Sequence, residues 1–317
     1  MGRRASSELW QGGVAVALLV GVVLVARMST RMPPITAPPQ HPQAVALTAS
    51  PYHEVAQLPL SLKRPYALSA NGDWIAVAGD SAIWRGRIQA PAAGTTLSLS
   101  SSPQCLQLQA DGALLVGFQA SVTHYHAKGQ PRSWAIPGQK AHLTAVAAGH
   151  GRYFAADAGQ RVVWMFDKTG KSLGTLGKPD AGKNYPGLRV PSPYLDLVVD
   201  PQGIWVVNPG HHRLELFSLD GRILKSWGKA SFAPEGFSGC CNPSHLARLP
   251  DGRFITSEKG ARQVKLFSTA GQFEALVAGP EAFSPQAKVL DVAVDGHGRI
   301  LVLDPSARAV RIFEKKK

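Results

Sequence analysis

From about Glu54 onward the chain alternates apolar and polar residues in short runs, each closed by a glycine-containing turn. The stretch Leu195–Gly228 reads LDLVVDPQGIWVVNPGHHRLELFSLDGRILKSWG, and His245–Gly279 reads HLARLPDGRFITSEKGARQVKLFSTAGQFEALVAG. Each holds four period-two runs separated by an Asp/Gly turn, a polar turn and a second Gly turn. Alternation sends successive side chains to opposite faces, so each unit predicts four short antiparallel strands. The first-turn glycine recurs at Gly72, Gly112, Gly151, Gly203, Gly252 and Gly298, with spacings of 40, 39, 52, 49 and 46 residues. The third-turn glycine recurs at Gly129, Gly170, Gly221 and Gly271, with Gly94 as a looser counterpart in the first unit. Six such units predict an all-β fold, a six-bladed β-propeller. The sixth unit ends after three strands. An open blade exposes a sheet edge, so Glu54–Leu60 is predicted to supply the missing strand and close the ring.

The N-terminal pattern is different. Gly12–Ala26 reads GGVAVALLVGVVLVA and carries no charge. With its flanks from Leu9 to Met28 it is about long enough to span a bilayer as a helix. Arg3 and Arg4 precede it, as expected of an end kept in the cytoplasm. A cleaved signal peptide is the competing reading, but Leu24 stands where cleavage after Ala26 would want a small residue. The expected organisation is a cytoplasmic tip and transmembrane signal anchor over 1–32, a Pro-rich linker over 33–51 and the propeller over 52–317. That places a single-pass protein in a bacterial inner membrane, its propeller on the periplasmic or extracytoplasmic side.

Composition narrows the function classes. At 44% hydrophobic and 17% charged residues the chain has apolar surface for a core, and disorder is excluded. The formal net charge is +13, but apart from Lys315–Lys317 the basic residues are scattered, so nucleic acid is not an expected partner. Three cysteines are too few for a disulfide scaffold.

The second strands with their polar turns carry a family signature: AADAGQRVVWMF at Ala155–Phe166, VVNPGHHRLELF at Val206–Phe217, TSEKGARQVKLF at Thr256–Phe267 and VLDPSARAVRIF at Val302–Phe313. Here the chain resembles NHL-repeat proteins. The stretch GFSGCCNPSHLARLPDGRFITSEKG is similar to a membrane-anchored bacterial subgroup carrying Cys-Cys-Asn-Pro. The resemblance implies the propeller and assigns no activity. The recurring Arg161, Arg213, Arg262 and Arg308 are expected to bridge adjacent blades. Trp74, Trp164 and Trp205 are expected to pack in the core.

The candidate chemistry lies on one face. The long insertions Gly177–Tyr194, Gly228–Ser244 and Gly279–Val289 all connect an outer strand to the next inner strand, and long loops on a rigid scaffold are where function is placed. Seven residues before each first-turn glycine stand Pro65, Cys105, Thr144, Asp196, His245 and Asp291, at the expected mouth of the central channel. Small residues are usual there in the family. Two carboxylates flanking an imidazole could hold a divalent metal; the plainer reading is a hydrogen-bonded set capping strand ends. Cys240, Cys241 and Asn242 precede His245 on the same face. Three states are open to the cysteines: a vicinal disulfide between Cys240 and Cys241, a bond from one of them to Cys105, or metal ligation. His211 and His212 read as a solvated turn. No Gly-x-Ser-x-Gly, His-Glu-x-x-His, Walker or Gly-x-Gly-x-x-Gly motif occurs. The favoured expectation is a membrane-tethered module that docks a protein partner on its loop-rich face. The alternative is a metal-assisted lyase or lactone hydrolase at the channel mouth.

Overall fold

The alternating runs become strands where their periodicity predicts them. A computed structural model describes residues 50–317; the expected anchor and nearly all of the linker lie outside the described residues. Among the described residues no helix is long and apolar enough to cross a membrane. The first strand, β1, is Tyr52–Pro59. Blade 1 is β2–β5, spanning Pro65–Asn71, Trp74–Gly79, Ala82–Arg87 and Ala90–Ser98. Blade 2 is β6–β9, spanning Cys105–Leu108, Leu114–Gly117, Ser121–Tyr125 and Arg132–Ala135. Blade 3 is β10–β13, spanning Leu143–Gly149, Arg152–Asp157, Val162–Phe166 and Ser172–Leu176. Blade 4 is β14–β17, spanning Leu197–Asp200, Gly203–Asn208, Arg213–Phe217 and Ile223–Trp227. Blade 5 is β18–β21, spanning His245–Arg248, Phe254–Glu258, Gln263–Phe267 and Phe273–Ala278. Blade 6 has β22–β24, Asp291–Val294, Ile300–Asp304 and Ala309–Lys315, and takes β1 as its outer strand in the order β1-β24-β23-β22.

Ring closure follows the sequence expectation. β1 runs antiparallel to β24 from Tyr52↔Lys315 to Pro59↔Ala309, with a bulge between Glu54 and Ala56. The Leu60 amide donates to the Arg308 carbonyl at 2.8 Å and the Lys316 amide to Pro51 at 2.7 Å. Arg311 grips Glu54 through two nitrogens. Leu58, Leu60 and Leu62 are buried against Leu303, Val310 and Ile312. The core lies between neighbouring blades, and the motif phenylalanines Phe166, Phe217, Phe267 and Phe313 are all buried in it.

A second device joins the blades. Every one of the six junctions is crossed near the channel by a side-chain hydrogen bond. Ser69 accepts from the Leu108 amide, Gln107 from Ala148, Asp196 from Leu246 and Asp291 from Leu68. Thr144 and Ser257 donate to the Leu195 and Leu290 carbonyls. These pairs satisfy backbone groups that the narrow inner strands leave unpaired.

Three details depart from the sequence reading. Arg161, Arg262 and Arg308 share a turn position with His212, not Arg213, and all four residues have φ between 50° and 57°. The position is a left-handed turn corner; Arg161 and Arg308 are exposed. Arginines that bridge blades include Arg248, on Asp200 at 2.8 Å, and Arg85, on the Gly112 carbonyl at 2.8 Å. Gly94 is not a turn residue but lies inside β5, where a Cβ would fall 2.6 Å from the Trp84 ring. Trp74 is 40% exposed, flanked by Arg85 and Arg87, whereas Trp205 is core at 2%.

Candidate functional site

The strand that begins each blade also defines the mouth, because β14, β18 and β22 start beside or at Asp196, His245 and Asp291. The inner strands enclose a central cavity of about 340 Å³, lined at this end by Cys105, Thr144 and the three ionisable residues. A second cavity of about 270 Å³ lies outside it, between Tyr66, His142, Pro193, Tyr194 and Pro305, and shares His245 and Asp291 with the first.

The structure brings the three predicted residues together. His245 Nδ1 lies 3.3 Å from Asp291 Oδ1 and 3.5 Å from Asp196 Oδ2, with side chains 12 to 15% exposed. Their ligand atoms all fall within 4.8 Å of one another. Backbone amides aim both carboxylates: Asp196 accepts from Leu197 and Leu246, Asp291 from Val292 and Leu68. Each oxygen keeps a lone pair beyond these bonds. Tyr194 stands edge-on to the His245 ring, with centroids 6.2 Å apart. Burial above all, then the Asp196 charge, pushes the Asp291 carboxyl up to about 6 against the opposing pull of His245. Burial disfavours the His245 imidazolium, but Asp291 and Asp196 outweigh it and its pKa is raised. Cys105 faces the same charges and, chiefly through burial, is held as the thiol.

Two of the three insertions are pinned by buried polar residues at one recurring place, the end of the second strand. Asn208 accepts from the Arg189 amide at 2.9 Å and Glu258 from the Ser238 amide at 2.7 Å. Asn242 is 2% exposed; it donates to the carbonyls of Ser238 and Lys259 and accepts from the Lys259 amide. It therefore fastens the cysteine loop from within rather than presenting itself on the face. In this structure no bond joins any two of Cys105, Cys240 and Cys241. Cys240 is exposed, Cys241 is buried, and their sulfurs are 2.7 Å apart. His211 and His212 are half-buried in their turn, away from the mouth residues.

Lys259 is the residue that the sequence reading missed. Its Nζ lies 3.0 Å from Cys241 Sγ and 3.2 Å from Ser192 Oγ. The signal was positional: aligned polar turns carry Ala158, Pro209 and Pro305 where this one carries lysine.

Six four-stranded blades around a polar-mouthed channel define the class, a six-bladed β-propeller. No family model matches the chain, and no curated protein matches it. Solved structures do. A streptogramin B lyase is 9% identical over 84% of this chain and 98% of its own, with a TM-score of 0.58. A catalytically inactive histidine-to-alanine variant of virginiamycin B lyase from Staphylococcus aureus, with quinupristin, is 13% identical over 83% of this chain and 99% of its own, TM-score 0.57. A chain of a mitotic checkpoint complex is 11% identical over 89% and 97%, TM-score 0.57. At these identities the likeness is one of fold.

Proposed function

We propose that the propeller works at its loop-rich face by holding a divalent cation between Asp196, His245 and Asp291. The observation that carries this reading is the convergence of three donors from three blades at the mouth of the central cavity. Their 3.3 and 3.5 Å separations approach the roughly 3.4 Å ligand–ligand edge of a tetrahedral zinc site. Asp196, His245 and Asp291 would hold the ion with coordination positions to spare, and it would supply Lewis-acid polarisation of a carbonyl. The chain's own contribution is orientation: cross-blade amides fix both carboxylates, as second-shell donors do in metal sites. The chemistry suited to this arrangement is that of a metal-assisted lyase or lactone hydrolase. Likeness to streptogramin B lyases, one inactive when a histidine becomes alanine, supports the same direction.

Elemental analysis of the purified protein tests this. Stoichiometric zinc, calcium or iron is expected, lost in His245→Ala and Asp291→Asn, with ester or lactone turnover lost alongside. Absence of binding in dialysis against each ion would remove the reading.

A protein-docking role remains the second reading, favoured by Phe232. That side chain is 70% exposed on the insertion before Cys240, on the same face. The apolar run within residues 1–32 supports tethering to a membrane, with the propeller outside the cytoplasm. The NHL-like turns and the Cys-Cys-Asn-Pro motif support kinship with the anchored bacterial subgroup.

A further inference from the structure

The loop above the mouth holds a second set of reactive groups. Cys240 is exposed while Cys241 is 1% exposed beneath it. Lys259 Nζ contacts the Cys241 sulfur at 3.0 Å, reaches Ser192 at 3.2 Å and lies over the Tyr194 ring at 5.3 Å. Asn242 locks the loop to the Lys259 backbone with hydrogen bonds of 2.7 and 3.1 Å, so ammonium and sulfur are held in register. An ammonium at this distance repels a soft metal cation, which argues against a thiolate metal site. It also stabilises a thiolate, both as attacking and as leaving group.

We propose that Cys240 and Cys241 form a thiol–disulfide exchange site: Cys240 is the sulfur that meets an external disulfide, Cys241 resolves, and Lys259 positions and stabilises the Cys241 thiolate. The protonation balance agrees. Burial opposes a Cys241 thiolate, but hydrogen bonds from Cys240, Ser192 and Lys259 outweigh it and its pKa is lowered. The Cys240 thiol is raised by its neighbour; less of it ionises, but each thiolate is more nucleophilic.

The steps balance without a further reactant. Cys240, its proton passed to water, attacks one sulfur of R–S–S–R; that bond breaks, one RS⁻ leaves and Cys240–S–S–R forms. The Cys241 thiolate then attacks the Cys240 sulfur and expels the second RS⁻. The two RS⁻ take up the two protons that the cysteines released. One external disulfide is reduced to two thiols, and the cysteine pair is oxidised by two electrons. In reverse, an external thiolate meets the exposed Cys240 sulfur and Cys241 departs as the thiolate beside Lys259. Exposed electrophile and stabilised leaving group are thus already on the correct sulfurs.

The probe is oxidised and reduced glutathione, with acid quenching, alkylation of the remaining thiols and mass spectrometry of the intact chain. The unsubstituted protein is expected to close the Cys240–Cys241 bond, losing two hydrogens. Cys241→Ser should trap glutathione on Cys240, whereas Cys240→Ser should take up none. Lys259→Met should slow bond closure about three- to tenfold through the poorer thiolate, and Lys259→Arg should restore it. Glutathione captured by Cys241 in Cys240→Ser at the rate seen for Cys240 would overturn the assignment, as would an unchanged rate in folded Lys259→Met. Should Lys259→Met not fold, the two serine variants decide alone.

Discussion

His245 sits where it does because its neighbours are committed elsewhere. Asp196 and Asp291 are fixed by amides of adjoining blades, and the imidazole takes the space between them. Both Asp291 and His245 bind protons more tightly in the folded chain than in the unfolded one. Such groups contribute stability below their unfolded values, near 4 for aspartate and 6.5 for histidine, and lose it as pH rises through the folded ones. The chelator-treated protein is therefore expected to lose stability as pH rises from about 4 through about 6, where Asp291 titrates, and to lose more above about 6.5 as His245 follows. Asp291→Asn should flatten that slope in calorimetry, since it removes one titrating group and the charge that raises the other; a stability rising over the same window would contradict the assigned environment. Cation affinity should run the other way and increase with pH, since the ligands must be deprotonated. Asn242→Ala leaves amide and carbonyl partners unpaired in a buried loop, at a cost of about 1–3 kcal/mol. Faster alkylation of Cys241 in that variant would report the loosened loop. Asp196, His245 and Asp291 were legible in the sequence because turn glycines set the register of the inner strands. Lys259 was not, because only folding brings its turn beneath a loop that departs from the preceding blade.

At the scale of elements, the closing strand matters most. β1 contributes Tyr52 and Leu58 to the core, with Leu60 and Leu62 following it. Burying each large apolar side chain stabilises by roughly 1.5–3 kcal/mol, so together they rival the 5–15 kcal/mol that typical domains have in total. Removal of residues 1–60 is expected to abolish cooperative unfolding, whereas removal of 1–49 should leave the melting temperature of the propeller nearly unchanged. Equal melting temperatures for the two truncations would sink this account. The missing strand was readable from the three-strand ending at Phe313. Gly94 misled because one glycine serves two purposes: most turn glycines take positive φ, but this one makes room for Trp84. The turn arginines misled for a related reason. A long charged side chain suggests a bridge, yet what recurs is the backbone corner.

The propeller is a ring with six junctions, and each carries a polar stitch near the channel. The Asp196 and Asp291 stitches fit the strand-capping reading of the sequence; the other four were not legible, because alternation assigns faces within a blade and is silent on pairing between blades. Gln107→Leu cuts the stitch between blades 2 and 3, far from His245 in sequence, and leaves the Ala148 amide unpaired. A cost of about 1–3 kcal/mol should lower the melting temperature by several degrees, as about 2–4 °C per kcal/mol applies to domains of this size. Thermal scans and cation titration together check it: stability should drop while ion affinity stays the same. A parallel loss of affinity would mean that the mouth depends on the whole ring's tension and not on its own three blades.

The pairing of β1 with β24 has a further consequence in time. Strand Tyr52–Pro59 leaves the ribosome before every other described strand, yet the strand it pairs with, Ala309–Lys315, follows all of them in the chain. Blades 1 to 5 can each form from neighbouring sequence, but this contact spans nearly the full described length and is slow to close. Until then an apolar edge waits unpaired, the kind of surface that nascent chains aggregate through. A chain reordered so that β1 follows β24 directly would turn that long-range closure into a hairpin, and should refold faster with the same final stability.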